Sequence, residues 1–494
     1  MTDAIAPAVV VMIVMPVLAA IAALVMPSPD GVSAVNRLMA GITVGAVAIA
    51  SIGVLTVPAH THEQFGLTLD AAAVPFLIAT GFVGFMSALL SPIYLRVERS
   101  TLFEGAHSFR WYYPLLHLFW AALLVLPLIP NLAIAWIVIE ATTATSAVLV
   151  AFSGRRRALE AGWKYLILTS LGLTLTLFGM LMVYAAAPVA EDLSFFDWSN
   201  LAAVSADIDP QIMTTAFVLV LLGLAAKIGW APVHHWLPDA HSEAPPPISM
   251  LLSAALLPTI ILVAWRTKDA LEPGLPTNFG NHCFLVLGLL SLAVSIPFLL
   301  QPLPWKRFLA YSSLEHMGII ALGIGFGSTL AIAGACLHVV AHALAKWLGF
   351  HTVIPLMGVQ PSISRGLPQG ITSNSPGTAS AVGISLYSLA GLPPSPIFVS
   401  ELLILIGGIR AGYAPVVGIA AFLLTVAFLG LAQAGIHAIA GPPSDEAPQT
   451  EYARTNVHTG IASCIVVVGS TGLLAVTAFL IPLGVITDIA RGIA

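Results

Sequence analysis

Apolar runs of roughly 18–25 residues, the length a bilayer demands of a helix, recur along this chain with short polar breaks between them. About fourteen can be marked off, near residues 4–26, 34–57, 71–94, 112–129, 131–152, 162–187, 211–231, 247–265, 281–303, 308–327, 329–356, 377–407, 413–440 and 459–487. Charge is correspondingly scarce. Only 8% of the 494 residues are charged, whereas soluble domains carry about 25%. Too few charges remain to cover a soluble surface, so soluble enzymes, nucleic-acid binders and disordered scaffolds are excluded. The expectation is an all-α polytopic membrane protein.

The three cysteines, Cys283, Cys336 and Cys464, are far apart and lie in apolar surroundings. No CxxC or Cys/His spacing offers an iron–sulfur cluster, a zinc site or a disulfide framework. Any redox chemistry must therefore reside in another subunit. The run from Ala4 to Met26 has no basic stretch before it and reads as a retained helix rather than a cleaved leader. Lys and Arg set the orientation. With the first helix starting outside, the inner loops hold Arg37, Arg96, Arg99, Arg110, Arg155, Arg156, Arg157, Lys306, Arg307, Arg365 and Arg454, and the outer segments only Arg266, Lys268, Arg410 and Arg491. Loop 188–210 carries five acidic residues and no Lys or Arg, as an outer loop should. Both termini are expected outside.

Several charges sit where lipid should forbid them. Glu140, Lys227, Lys346 and Glu401 are embedded in apolar runs, and Lys164 lies near a run's edge. Each such residue at mid-helix costs about 2.5–3.5 kcal/mol on insertion scales, so the first four would cost roughly 10 kcal/mol if they faced lipid unpaired. They must face the bundle interior, as structural ion pairs or as titratable stations for moving ions. In the second case a desolvated lysine is drawn toward neutrality and a nearby carboxylate draws it back. Two runs are also broken beside these charges. Gly229 and Pro232 follow Lys227, while Gly391, Pro393, Pro394 and Pro396 precede Glu401. One interrupted segment in each half points to inverted repeats with a path between them; two ordinary proline kinks are the plainer reading. In CLHVVAHALAKWLGFH, residues His338, His342 and Lys346 fall at i, i+4 and i+8 and share one stripe of a helix. That stripe suits a proton relay or a structural polar network. A metal site lacks a carboxylate or cysteine nearby in sequence.

At these residues the chain resembles the antiporter-like, proton-translocating subunits of respiratory complex I, membrane-bound hydrogenases and multisubunit cation/proton antiporters. KIGWAPVHHWLPDAHSEAPPPIS looks like that family's seventh-helix signature, and KRFLAYSSLEHMG, HVVAHALAKWLGF and FVSELLIL match further segments in order, over about Pro114 to Gln433. LEAGWKYLIL, YSSLEHMG and LHVVAHALAKWLGF look most like component F of hydrogenase-4 and formate hydrogenlyase complexes. The resemblance implies helices 1–3 over residues 1–110, a first five-helix repeat over 111–270, an inverted second repeat over 271–440, and a loop with a last helix over 441–494. Glu140 matches the fifth-helix glutamate paired with the seventh-helix lysine, Lys227. His234 matches the histidine after the break, Lys346 the eleventh-helix relay lysine, and Glu401 the twelfth-helix carboxylate. Lys164 also matches a family lysine, although Glu160 at i−4 makes a surface pair an equal reading. One position departs: Pro258 stands where many members place an eighth-helix lysine. Proline carries no proton but would free the carbonyl of Ala254.

The resemblance implies a multi-pass subunit in a prokaryotic inner membrane that moves protons, or sodium, along a central axis. The chain itself would hold no cofactor and no metal; nickel–iron and iron–sulfur centres would belong to partner subunits of a hydrogenase-like or complex-I-like assembly. Alternatives are the large subunit of a cation/proton antiporter, the membrane subunit of an inorganic-carbon uptake system, and a non-conducting anchor. No particular feature supports quinone binding.

Overall fold

The computed structural model describes residues 2–26, 28–56, 61–102, 109–187 and 192–442, with isolated positions between 461 and 473. Most of the expected last run, 459–487, and of the segment 441–494 falls outside the described residues. The chain opens with α1 (Thr2–Val25) and α2 (Pro29–Thr56), which pack side by side. A short antiparallel hairpin of β1 (Thr61–Gln64) and β2 (Leu67–Asp70) leads into α3 (Val74–Leu102). Then follow α4 (Phe109–Val125), α5 (Leu132–Val150), α6 (Arg156–Ala186), α7 (Trp198–Ser205), α8 (Pro210–Ile228), α9 (Trp236–Glu243), α10 (Pro246–Leu251) and α11 (Leu257–Leu271). The remainder comprises α12 (Phe279–Leu299), α13 (Trp305–Gly325), α14 (Thr329–His351), α15 (Val353–Val359), α16 (Pro376–Leu389), α17 (Pro396–Arg410) and α18 (Ala414–Ala440).

Among the described residues, 12 helical segments are long and apolar enough to cross a membrane. They correspond one to one with the apolar runs up to residue 356 and with the run 413–440. The run 377–407 behaves differently. It is two short helices, α16 and α17, because Gly391 and the prolines after it end one helix before the next begins. The earlier break acts likewise: α8 stops at a left-handed Gly229, with φ +79°, and the chain turns through 230–235 before α9.

Burial sorts the helices. The spans Pro246–Gly274 and Trp305–Gly325 are enclosed by protein along their apolar stretches, whereas α18 and α6 turn many large apolar side chains outward, including Phe178, Leu171, Phe422 and Ile436. In lipid that outward face needs no cover. The enclosed helices carry the polar side chains. Pro258 lies in this enclosed region and leaves a visible mark. Residues Leu252–Leu256, just before it, form a wide turn in which the Leu257 N–H bonds to the Leu252 carbonyl, five residues back. A proline cannot donate to the preceding turn and its ring crowds it, so the helix widens there instead of breaking.

Candidate functional site

The first cluster forms around Lys227. This side chain is fully buried in the last turn of α8, where unpaired helix carbonyls favour a cation. Its Nζ donates to Thr143 Oγ1 at 2.7 Å and to the Tyr165 hydroxyl at 2.6 Å, and sits 4.6 Å from the centre of the Tyr165 ring. The hydrogen bonds continue in one direction. Ser146 donates to the Thr142 carbonyl, so Tyr165 must donate to Ser146, 2.8 Å away, and accept from the lysine. Glu140 lies one turn before Thr143 on α5, half-buried, and accepts from Ser170 at 3.3 Å. The expected Glu140–Lys227 pair is thus not a contact pair: no ion pair within 4.0 Å joins them among the described residues. Thr143, at i+3 from Glu140, takes the place beside the ammonium.

The break after Lys227 is held by neighbouring helices, as backbone inside a membrane must be. Trp236 Nε1 donates to the Ala226 carbonyl at 2.6 Å, Trp230 Nε1 to Met317 at 3.0 Å, and the Ala231 N–H to Ser291 Oγ at 3.0 Å. His234 is half-buried and stacks on exposed His235 with ring centres 4.9 Å apart. The fully buried histidine of this segment is His241 on α9, whose Nδ1 lies 2.8 Å from the Leu237 carbonyl and whose Nε2 has no hydrogen-bond partner. Lys164 lies apart from this interior. It is about half exposed and reaches Glu160 at 2.6 Å and Asp239 at 3.4 Å, with Arg307 on the other Asp239 oxygen at 3.0 Å.

The second cluster gathers on α13, α14 and α17. Lys346 is fully buried and donates to the Leu309 carbonyl at 2.6 Å and to Ser312 Oγ. Beside Ser312, Ser313 shares a 2.7 Å hydrogen bond with Ser253 of the wide turn, which ties this cluster to the helix carrying Pro258. Glu315 and His316 are buried one turn further along α13. His316 Nδ1 lies 2.9 Å from His338 Nε2, and the His316 ring centre lies 5.2 Å from that of His342. His338 Nδ1 lies 2.8 Å from Ser400 Oγ, next to half-buried Glu401. One ligand atom from each of His316, His338 and Glu401 lies within 4.8 Å of the others. The carboxylate missing from the histidine stripe in sequence is therefore supplied by α17. Gly391, with φ +60°, leaves room for Glu401: a Cβ there would stand 2.5 Å from Glu401 Oε2.

Sequence reasoning passed over Glu315, His316 and His241. Glu315 is a charge inside the apolar run 308–327, the same signal that singled out Glu140. His316 and His241 stand in the motifs quoted above, but only folding shows that they, rather than His234, are enclosed.

The sequence profile described as "NADH:quinone oxidoreductase/Mrp antiporter, TM" matches residues 129–428. A hydrogenase-4 component F homolog from Methylacidiphilum infernorum is 31% identical over 339 residues, 68% of this chain and 71% of that protein. An NADH-quinone oxidoreductase subunit N from Deinococcus radiodurans is 28% identical over 411 residues, 81% of this chain and 80% of its own. In fold, the chain matches a subunit of the membrane-bound sulfane sulfur reductase, an archaeal respiratory membrane complex. The TM-score is 0.81 at 18% identity, covering 98% of this chain and 97% of that one. It also matches a chain of the Mrp complex from Dietzia sp. DQ12-45-1b, with a TM-score of 0.77 at 18% identity over 99% and 96% of the two chains.

Proposed function

For this chain, which belongs to the NADH:quinone oxidoreductase/Mrp antiporter transmembrane family, we propose a role as the proton-carrying subunit of a redox-driven membrane assembly. The assembly would be hydrogenase-4-like or complex-I-like, with the chain in a prokaryotic inner membrane and its termini outside. Nickel–iron and iron–sulfur centres would belong to partner subunits.

The observation that carries this reading is how the two buried lysines are held. Lys227 and Lys346 each sit inside the membrane bundle on neutral oxygens, hydroxyls and carbonyls, with no carboxylate in contact among the described residues. A lysine locked in a contact ion pair keeps its proton. A lysine on neutral acceptors holds it by a margin that a charge a few ångströms away can tip. Glu140 stands near the first lysine and Glu315 near the second. The path would run from Glu140 past the Thr143 hydroxyl to Lys227, with the Tyr165 and Ser146 hydroxyls leading away from the ammonium. It would pass His241 and the Ser253–Ser313 pair to Lys346, and leave through His342, His316 and His338 to Glu401. The hydroxyl pair offers a route around Pro258 that needs no lysine on that helix. Lys164 and His234 would serve the inner surface rather than the axis.

The test is Lys227→Ala in the native assembly, reconstituted in vesicles with a pH-sensitive dye and an electron donor. Coupled proton movement should vanish while the subunits still co-purify. Undiminished pumping overturns the relay and leaves the anchor role. Ion movement that needs sodium but no electron donor supports the antiporter reading instead.

A further inference from the structure

We propose that His316, His338 and Glu401 form a binding site for a divalent transition-metal ion of the zinc class, and that an ion bound there closes the second half of the path. The closing part rests on the relay reading above; the site itself does not.

Three features on separate helices carry the inference. The donor set comes first: two imidazole nitrogens and one carboxylate oxygen are a common catalytic-type zinc set, with a fourth position left open. In this chain one ligand atom from each residue already lies within 4.8 Å of the other two. Second, the histidine tautomer suits ligation. Ser400 Oγ lies 2.6 Å from the Ile397 carbonyl, a pure acceptor, so its proton points there. The 2.8 Å contact between Ser400 Oγ and His338 Nδ1 then requires Nδ1 to be the donor, which leaves the lone pair on Nε2 facing His316. A ligating histidine ordinarily has its other nitrogen fixed by such a partner. Third, the donors are already close, and ligation needs the two rings to tilt out of their N–H···N contact and part by a few tenths of an ångström. The two facing nitrogens are 2.9 Å apart, and nitrogens on a tetrahedral zinc stand about 3.3 Å apart.

Binding exchanges one occupant for another. Without metal, His316 Nδ1–H donates to His338 Nε2. With metal, both lone pairs face the ion and the His316 proton resides on Nε2, which has no hydrogen-bond partner. No proton is gained or lost by the pair, but the hydrogen bond along which a proton would pass is gone. Glu315, next to His316 and buried with an unpartnered Oε2, adds a second carboxyl group close by. Half-buried Glu401 is the ligand nearest the outside of the bundle.

The test uses the full chain in nanodiscs, titrated with Zn2+ alone against a chromophoric chelator. One ion per chain should bind, with the same affinity in the surface control His437→Gln. His338→Gln should weaken binding by at least tenfold, and Ser400→Ala, which releases the tautomer but removes no ligand, by about tenfold. X-ray absorption should show a nitrogen and oxygen shell near 2.0–2.1 Å. Unchanged affinity in a folded His316→Gln/His338→Gln double variant overturns the site. So does a sulfur shell near 2.3 Å, which would place the ion on a cysteine. Tight binding at these residues with proton movement undiminished supports the site and overturns its closing action. Loss of movement in Lys227→Ala in a protein that binds no Zn2+ overturns the site and leaves the relay standing.

Discussion

At the residue scale, Lys227 shows how a charge is kept in a membrane without a counter-charge touching it. Its ammonium has Thr143 and Tyr165 as acceptors, and Tyr165 passes the chain on to Ser146 and the Thr142 carbonyl. Removing one hydroxyl breaks both the solvation and the direction of that chain. Tyr165→Phe is expected to lower proton movement at least tenfold in vesicles while costing about 1.5–3 kcal/mol of stability, the worth of a hydrogen bond to a charged group. A chemical-denaturation midpoint beside the transport rate separates the two effects. An equal fall of transport and of folded fraction would show that Tyr165 serves packing alone. The embedded lysine was legible in the sequence; its partners were not. A family resemblance named Glu140, yet the contact belongs to Thr143, three residues on, because helical spacing puts both on one face and only tertiary distance chooses between them.

At the scale of elements, the two interrupted helices do different work. The Gly229 turn ends α8 so that Lys227 occupies its last turn; beyond it, Ser291 of α12 accepts from the Ala231 N–H and the Met317 carbonyl of α13 accepts from the Trp230 indole. The Gly391 turn instead makes room for a carboxylate. A methyl group at residue 391 would meet Glu401 Oε2 at 2.5 Å, on a backbone at φ +60° that side chains disfavour. Gly391→Ala is expected to cost about 1–2 kcal/mol for the left-handed backbone and to reduce proton movement by displacing Glu401. Gly41→Ala on α2, where an added Cβ meets nothing within 4 Å, should leave both intact. Equal transport in the two variants, compared at matched protein levels, would remove Glu401 from the path. The positions of both breaks could be read from glycine and proline alone. Their division of labour could not, since it depends on which side chain packs into each turn.

Across the whole molecule, enclosure and exposure divide the chain's work. The apolar stretches of α10–α11 and α13 are covered by protein and hold Ser253, Ser312, Ser313, Glu315 and His316, while α6 and α18 spend their apolar side chains on the outer face. One long-range link closes the bundle at the expected outer side. Arg266 on α11 bonds Asp70, at the end of β2, at 2.7 Å and also donates to the Pro127 carbonyl at 2.7 Å. Arg266 is 6% exposed, and a buried charge that loses its partner costs about 3–5 kcal/mol. Asp70→Ala should therefore lower the stability of the solubilised chain by that amount, read from unfolding midpoints. A loss below about 1 kcal/mol, the range of exposed pairs, would mean that water reaches the arginine.

The amino-acid sequence by itself determined that the chain spans a membrane as helices, because hydrocarbon admits apolar runs of one length and penalises every charge placed in them. It also marked which charges were anomalous and where two helices had to break, since a missing Cβ and a missing N–H act locally. Only the tertiary structure decided what those charges touch. His316 from α13, His338 from α14 and Glu401 from α17 are separated by tens of residues, and no periodicity within one helix reports on its neighbour. The helix-to-helix packing that joins them is set by side-chain shape across the whole bundle.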